Sequence, residues 1–396
     1  MEALRDVYVS GAGMTRFGRQ PDRSLKHLTA EAVEQALDDA GVGPGTVEAA
    51  YFANAIGGSM TGQEMVAGQV ALRPLGIDGI AVHNVENACA SASTAMHLGW
   101  QAVASGAADV VLCVGAERMS HPEKGRALLA IGGAVDVDDV FGPAGPQAGG
   151  RSYFMDLYAG QAQARLDAGT SAREDFAAVA AKNRRHGALN PRAQYGRAMT
   201  VEDVLAAREI VWPLTLPMCS PVSDGAAAVV LTAGDAAVGG PSPRVRVAAS
   251  VVTSGSSSAG SDATARASRR AYERAAIGPE DLDLVECHDA AAPAEISLYE
   301  SLGLAHPGEG VRLIREGATE LGGRLPVNTS GGLLSKGHPI GATGLAQVHE
   351  TVTQLRGRAG ARQVAGARWA LTQNGGGWID GDNAAVAVHI LERSQR

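Results

Sequence analysis

The sequence predicts an α/β protein built from two similar halves related by a pseudo-two-fold axis, with one long excursion between them. Three observations predict it. Residues 29–44 (TAEAVEQALDDAGVGP) and 264–279 (TARASRRAYERAAIGP) align without gaps at an offset of 264 − 29 = 235 and share Thr29/Thr264, Ala36/Ala271, Gly43/Gly278 and Pro44/Pro279. Each copy lies between β-type runs and is followed by a Gly/Ser-rich segment, a helix and a further strand. Residues 117–220 have no counterpart in the second half.

Taken in order, Val7–Gly11 opens the first half as a strand and the 29–44 helix follows, ending on Gly-Pro. Val47–Asn54 and Ile80–Val82 read as strands, Cys89–Gly106 as a helix of small residues, and Ala108–Gly115 as a strand. Within the excursion, Phe141–Gly150 is loop-like and Ser171–Leu189 is helical, with Ser171 as N-cap and Glu174 completing a capping box. Ala226–Thr232, introduced by Ser223-Asp224-Gly225, closes the half. The second half repeats the plan with strand Val245–Thr253, the 264–279 helix, strand Leu282–His288, helix Gly341–Leu355 and strand Arg368–Gln373. Strands alternating with amphipathic helices place helices on both faces of a sheet. Equivalent loops at the carboxyl ends of the strands then face a shared cleft, where open α/β folds bind ligands. The expected division is 1–116 with 221–242, the cleft-covering excursion 117–220, suited to holding a long substrate, and 243–396.

With 396 residues, 45% of them hydrophobic, the chain can bury a large core. A net charge of −8 and no basic block argue against nucleic acid as the main partner. No apolar run approaches the ~18 residues of a membrane span, and no charged-then-apolar leader opens the chain. Cys89, Cys113, Cys219 and Cys287 are scattered without a CxxC pair, so neither a disulfide framework nor a metal site is expected, and reduced thiols fit a cytoplasmic protein.

Two segments carry the chemistry. Cys89 lies in Asn87-Ala88-Cys89-Ala90-Ser91, where a strand run gives way to a helix. A thiol at a helix N-terminus is biased toward thiolate, the reactive form. His338, in Gly337-His338-Pro339-Ile340-Gly341, is a histidine in a Gly/Pro-rich turn that can take and return the thiol proton. The pair points to covalent acyl transfer.

NVENACASAS (84–93), VGAERMS (114–120), AAKNRRHGALNP (180–191), PLTLPMCSPVSDGAAAVVL (213–231), ECHDAAAPAEI (286–296), NTSGGLLSKGHPIGATG (328–344) and TQNGGG (372–377) occur in order along nearly the whole chain. Together they resemble the thiolase superfamily, its SCP2-thiolase-like branch in particular. The resemblance implies a five-layered α-β-α-β-α fold, a homodimer or homotetramer, and coenzyme A thioesters as substrates with no bound cofactor. It implies an acyl-CoA C-acyltransferase that forms or cleaves the carbon–carbon bond of a 3-oxoacyl-CoA through an acyl group on Cys89. By the same resemblance His338 activates the cysteine and helps hold the substrate carbonyl oxygen. His288 forms part of an oxyanion hole, and the N–H groups of Cys89 and Gly375 form a second. Asn328, Ser330 and Gly331 are assigned to substrate binding, and so are Arg184 and Arg185, whose charges suit CoA phosphates; a charged helix face is the alternative reading of that pair.

The sequence also departs from the family. A second cysteine, which moves the proton on the substrate's α-carbon, is missing from both usual positions: Gln373 stands at one and Ala290 at the other. One cysteine with two histidines also suits a decarboxylative or aromatic-acceptor condensing enzyme. Some relatives with an HDA-type motif act beside a zinc-ribbon/OB-fold protein, which leaves room for an acyl-CoA-binding subunit active only with such a partner.

Overall fold

The computed structural model describes residues 4–394 apart from 124, 139–151, 235, 237–242 and 259; the loop expected at Phe141–Gly150 lies outside them. Eleven strands are formed by the described residues: β1 (Val7–Met14), β2 (Ala49–Ala53), β3 (Ala81–Val85), β4 (Val110–Glu117), β5 (Glu209–Val211), β6 (Leu214–Thr215), β7 (Gly225–Ala233), β8 (Val245–Ser254), β9 (Leu284–Glu286), β10 (Trp369–Ile379) and β11 (Asp382–Arg393). Nine follow the order β3-β2-β4-β7-β1-β8-β11-β10-β9, and β5 with β6 makes a separate pair. Within the sheet the halves are joined by a short pairing, in which β1 meets β8 through Tyr8↔Arg246 and Val9↔Val245.

The longer helices are α1 (Leu25–Ala40), α2 (Ser91–Ala104), α3 (Tyr153–Asp167), α4 (Arg173–Ala188), α5 (Ala263–Ala275), α6 (Ala292–Ser301) and α7 (Thr343–Leu355). The repeat is structural as well as sequential. α1 ends at Gly41 with φ 69° and α5 at Ala276 with φ 55°, both left-handed. Gly43-Pro44 and Gly278-Pro279 then open matching short turns. A residue that reverses the chain, followed by a proline, stops each helix.

Period-two burial builds the layers. On one face Val110, Leu112 and Val114 pack with Leu28, Ala32 and Ala36 of α1. On the other, Val111 and Cys113 join Ala92 and Met96 of α2 and Leu345 and Val348 of α7. In the second half Val386, Val388 and Ile390 pack against Ala263, Ala267 and Ala271 of α5. Outer helix, sheet, central helix pair, sheet and outer helix make the five α-β-α-β-α layers.

Three local expectations are corrected. α4 starts at Arg173, and its first turn is held by the Asp175 carboxylate, which accepts the N–H of Ala172 at 2.6 Å; Ser171 Oγ instead accepts from Arg165 at 3.1 Å. Strand β11 was not foreseen. The glycines 375 and 376, read as lying beyond a strand, sit inside β10 with Gly375 opposite Val386. The reason is a close approach: a Cβ on Gly376 would lie 2.1 Å from the Asn87 carbonyl oxygen, so only glycine lets β10 run against the Cys89 turn.

Candidate active site

Cys89 sits in the short turn Ala88–Ala90 between β3 and α2, and Ala88 has φ 48°. Ser91 fixes the turn by donating to the Ala88 carbonyl at 2.6 Å and accepting the Asn87 N–H at 2.9 Å. Both histidines come from the other half. His288 follows β9, and its N–H donates to the Gln373 side-chain oxygen at 3.1 Å. The His338 N–H donates to Ser223 Oγ at 2.9 Å, and its Nδ1 lies 2.7 Å from Thr343 Oγ1. The two imidazoles meet edge to face with centroids 5.2 Å apart. One donor atom from each of Cys89, His288 and His338 lies within 4.8 Å of the others.

All three residues line one cavity of about 950 Å³, together with Ala290, Gly375 and Tyr158. That volume exceeds what a short acyl group fills and falls in the range of sites for extended ligands. Cys89 is half-buried, while His288 and His338 are buried at the cavity wall. The N–H of Gly375 belongs to a residue of that wall, as the oxyanion-hole expectation requires.

The thiol is not the pre-formed thiolate that the helix N-terminus suggests. Burial pushes Cys89 up to about 12, and the negative charge of Glu117 adds to the effect. Burial pulls His288 down to about 4, and His338 is also held well below its usual value by burial, with the neighbouring His288 and Lys336 adding to it. The resting site is therefore a neutral thiol facing two neutral imidazoles. His288 Nε2 has no hydrogen-bond partner among the described residues, which leaves a buried polar atom for a substrate to satisfy. A thiol and two imidazoles this close could also hold a soft divalent cation.

The remaining expected substrate contacts lie elsewhere. Asn328, Ser330 and Gly331 are buried outside the cavity wall. Asn328 accepts the N–H of Cys287 at 2.9 Å and donates to Glu295 at 2.8 Å. Ser330 Oγ donates to Glu286 at 2.5 Å, and Gly331 packs against Gly187. These residues brace the site from behind. Arg184 stacks on Tyr195 at 3.9 Å, and Arg185 pairs with Glu320 at the surface. Within the KNRRH run, Lys182 and Asn183 are fully buried and bonded to Glu295, whereas Arg185 is exposed. Sequence reasoning gave no role to Thr343, Glu117 or Tyr158. Glu117 lies in a motif already noted, whereas Tyr158 carries no local signal.

Residues 7–203 match the thiolase N-terminal domain family and residues 247–393 the thiolase C-terminal domain-like family. The chain is 38% identical to an acetyl-CoA acetyltransferase of Methanothermobacter thermautotrophicus, covering 98% of this chain and 100% of the relative. It is 37% identical to human sterol carrier protein 2, over 94% of this chain and 70% of that one. It is likewise 37% identical to the benzoylsuccinyl-CoA thiolase subunit BbsB of Thauera aromatica, over 92% of each. Among solved structures, the Ltp2-ChsH2(DUF35) aldolase superposes with a TM-score of 0.81 at 25% identity over the full length of both chains. Fold and relatives together define an α/β acyltransferase. The chain belongs to the thiolase superfamily, in its SCP2-thiolase-like branch, and is an acyltransferase.

Proposed function

We propose that the chain forms or cleaves the carbon–carbon bond of a 3-oxoacyl-CoA through an acyl group carried on Cys89. The observation that supports this most is the convergence of one sulfur and two imidazoles, within 4.8 Å, on the wall of one cavity. His338 takes the Cys89 proton as sulfur attacks the 3-oxo carbon, so thiolate forms only as it reacts. The N–H groups of Cys89 and Gly375 receive the oxygen on the tetrahedral carbon, where one such donor is typically worth ~10²–10³ in rate. His288, with its free Nε2, and His338 polarise the carbonyl of the departing or arriving CoA ester. In the second half-reaction a CoA thiol attacks acyl-Cys89 and its proton returns to sulfur through His338. Likeness to an acetyl-CoA acetyltransferase and to a benzoylsuccinyl-CoA thiolase subunit supports the CoA ester as substrate.

The test is incubation with acetyl- or propionyl-CoA followed by intact mass. An acyl adduct that disappears in Cys89→Ala is expected, and an adduct that persists there would overturn the assignment. A second reading, in which turnover needs a zinc-ribbon/OB-fold partner, is favoured by the full-length likeness to an aldolase whose name joins a DUF35 component. Turnover by the purified chain alone would eliminate it. A decarboxylative version is motivated by Ala290 and Gln373 at the two second-cysteine positions, and fails if malonyl-CoA releases no CO₂ while acylation proceeds.

A further inference from the structure

Cleaving a 3-oxoacyl-CoA leaves the bonding electrons on the α-carbon of the departing ester, which must receive a proton; condensation must remove one. Neither position at which a second cysteine was sought can do this. Ala290 reaches the cavity but carries no proton, and Gln373 uses its side-chain oxygen on the His288 N–H. Cys219 also belongs to the wall, yet its thiol donates to the Thr215 carbonyl at 3.6 Å and packs with Leu214, Met218 and Ala291. His338 is committed to the Cys89 proton.

Among the other proton-bearing side chains of the wall, which include Glu64, Glu86, Tyr195 and Glu209, Tyr158 is the tyrosine whose electrostatics are tied to Cys89. It projects from α3 into the cavity that holds Cys89, His288, His338 and Ala290. Its ring is half-buried, and its hydroxyl has no hydrogen-bond partner among the described residues. A tyrosine hydroxyl with an apolar surround normally finds a partner inside the protein, so one left open toward a substrate cavity is available for the substrate.

We propose that the Tyr158 hydroxyl is the proton carrier for the substrate α-carbon, standing in for the absent second cysteine. This rests on the acyl-cysteine reading above. In cleavage the bond between C2 and C3 breaks, C3 stays on Cys89 as the thioester, and the electron pair goes to C2. The Tyr158 O–H bond then breaks and its proton goes to C2. The phenolate recovers a proton from the His338 imidazolium, which holds the one that left Cys89, directly or through water in the cavity. Protons therefore balance within the half-reaction, and condensation runs the same steps backwards. Burial is the main cause that raises the Tyr158 pKa, so the phenol is in its proton-bearing form at neutral pH.

The experiment measures two things on the full-length protein: Cys89 acylation by acetyl-CoA, from intact mass, and deuterium uptake at the acetyl-CoA α-carbon in D₂O. Tyr158→Phe is expected to keep acylation within about threefold while exchange and cleavage fall ~10²-fold or more, the usual worth of a general acid–base group. Cys219→Ala is expected to retain both. Exchange at the wild-type rate in Tyr158→Phe, or its loss in Cys219→Ala instead, would overturn the proposal. Should Tyr158→Phe fail to fold, 3-fluorotyrosine at 158 keeps the ring shape and acidifies the hydroxyl. An altered exchange rate then supports the assignment and an unchanged one overturns it. If the wild type itself is never acylated, the acyl-cysteine reading has failed, a result visible apart from Tyr158.

Discussion

Thr343 Oγ1 lies 2.7 Å from His338 Nδ1 and is placed to donate to the Pro339 carbonyl at 3.0 Å. A hydroxyl has one proton to give, so when Thr343 gives it to Pro339 the His338 bond is donated by the ring, which places the imidazole proton on Nδ1. Nε2 is then left with the lone pair that a base needs. One threonine at the start of α7 therefore sets the tautomer of a residue five positions away.

Thr343→Val removes that acceptor without changing the side-chain shape. Acylation of Cys89 is expected to slow about 10–100-fold, the usual effect of losing an orienting partner. Thr343→Ser should restore most of it. Single-turnover acylation followed by intact mass reads the rate. Equal rates in wild type and Thr343→Val would show that the tautomer is set elsewhere.

Glu117 couples the stability of the site to the acidity of its thiol. Its Oε2 accepts the N–H groups of Ala55 at 2.8 Å and Gly341 at 3.1 Å, and its Oε1 accepts from Asn54 at 2.9 Å. It thereby ties the first half to the His338 loop. Burial raises it to about 7, so it is charged at pH 9 and there opposes ionisation of Cys89. Glu117→Gln turns an NH₂ group toward at least one donor, which costs about 1–3 kcal/mol. The melting temperature should therefore fall. Removal of the charge should at the same time make Cys89 alkylation by iodoacetamide at pH 9 faster. A lower melting temperature with slower alkylation would contradict the electrostatic account.

What the sequence disclosed follows from how local each signal is. Cys89 and His338 stand in short segments of small residues whose backbone conformations are set by their immediate neighbours. The repeat at an offset of 235 was legible because both helices are followed by the same Gly-Pro turn. The buried partners of Asn328 and Ser330 were not legible, because polar residues in a glycine-rich loop look the same whether they face a ligand or a buried carboxylate. Their partners, Glu286 and Glu295, lie more than thirty residues upstream. Lys182 was opaque for the same reason, being matched to a residue more than a hundred positions away. Gly376 shows that a glycine in a strand can mark where another backbone approaches rather than where the strand ends.

The pH dependence of acylation follows from two displaced groups. With His288 drawn down to about 4 and Cys89 pushed up to about 12, the reacting protonation state, neutral thiol with neutral imidazoles, persists between those values. Acidification through about 4 protonates His288 and removes the competent state, so the rate falls on the acid side. From about pH 5 into the weakly alkaline range kcat/KM for acylation should be nearly flat, since the free enzyme's essential groups set that profile. An acid limb centred near 6.5, the ordinary histidine value, would mean that the imidazoles are solvated.

A fully buried ion pair lies behind the site. Lys182 donates to Glu295 and, at 3.1 Å, to the Val327 carbonyl, and both side chains are out of solvent. The second oxygen of Glu295 accepts from Asn183 at 2.7 Å and Asn328 at 2.8 Å, and Asn328 in turn holds the Cys287 N–H next to His288. Lys182→Met leaves Glu295 buried without its counter-charge, which costs roughly 3–5 kcal/mol. Replacing both partners removes the orphaned charge, so Lys182→Met with Glu295→Gln should recover part of that loss. Urea unfolding of the two single variants and the double variant reads the coupling directly. Strict additivity would mean that the pair does not act as a unit.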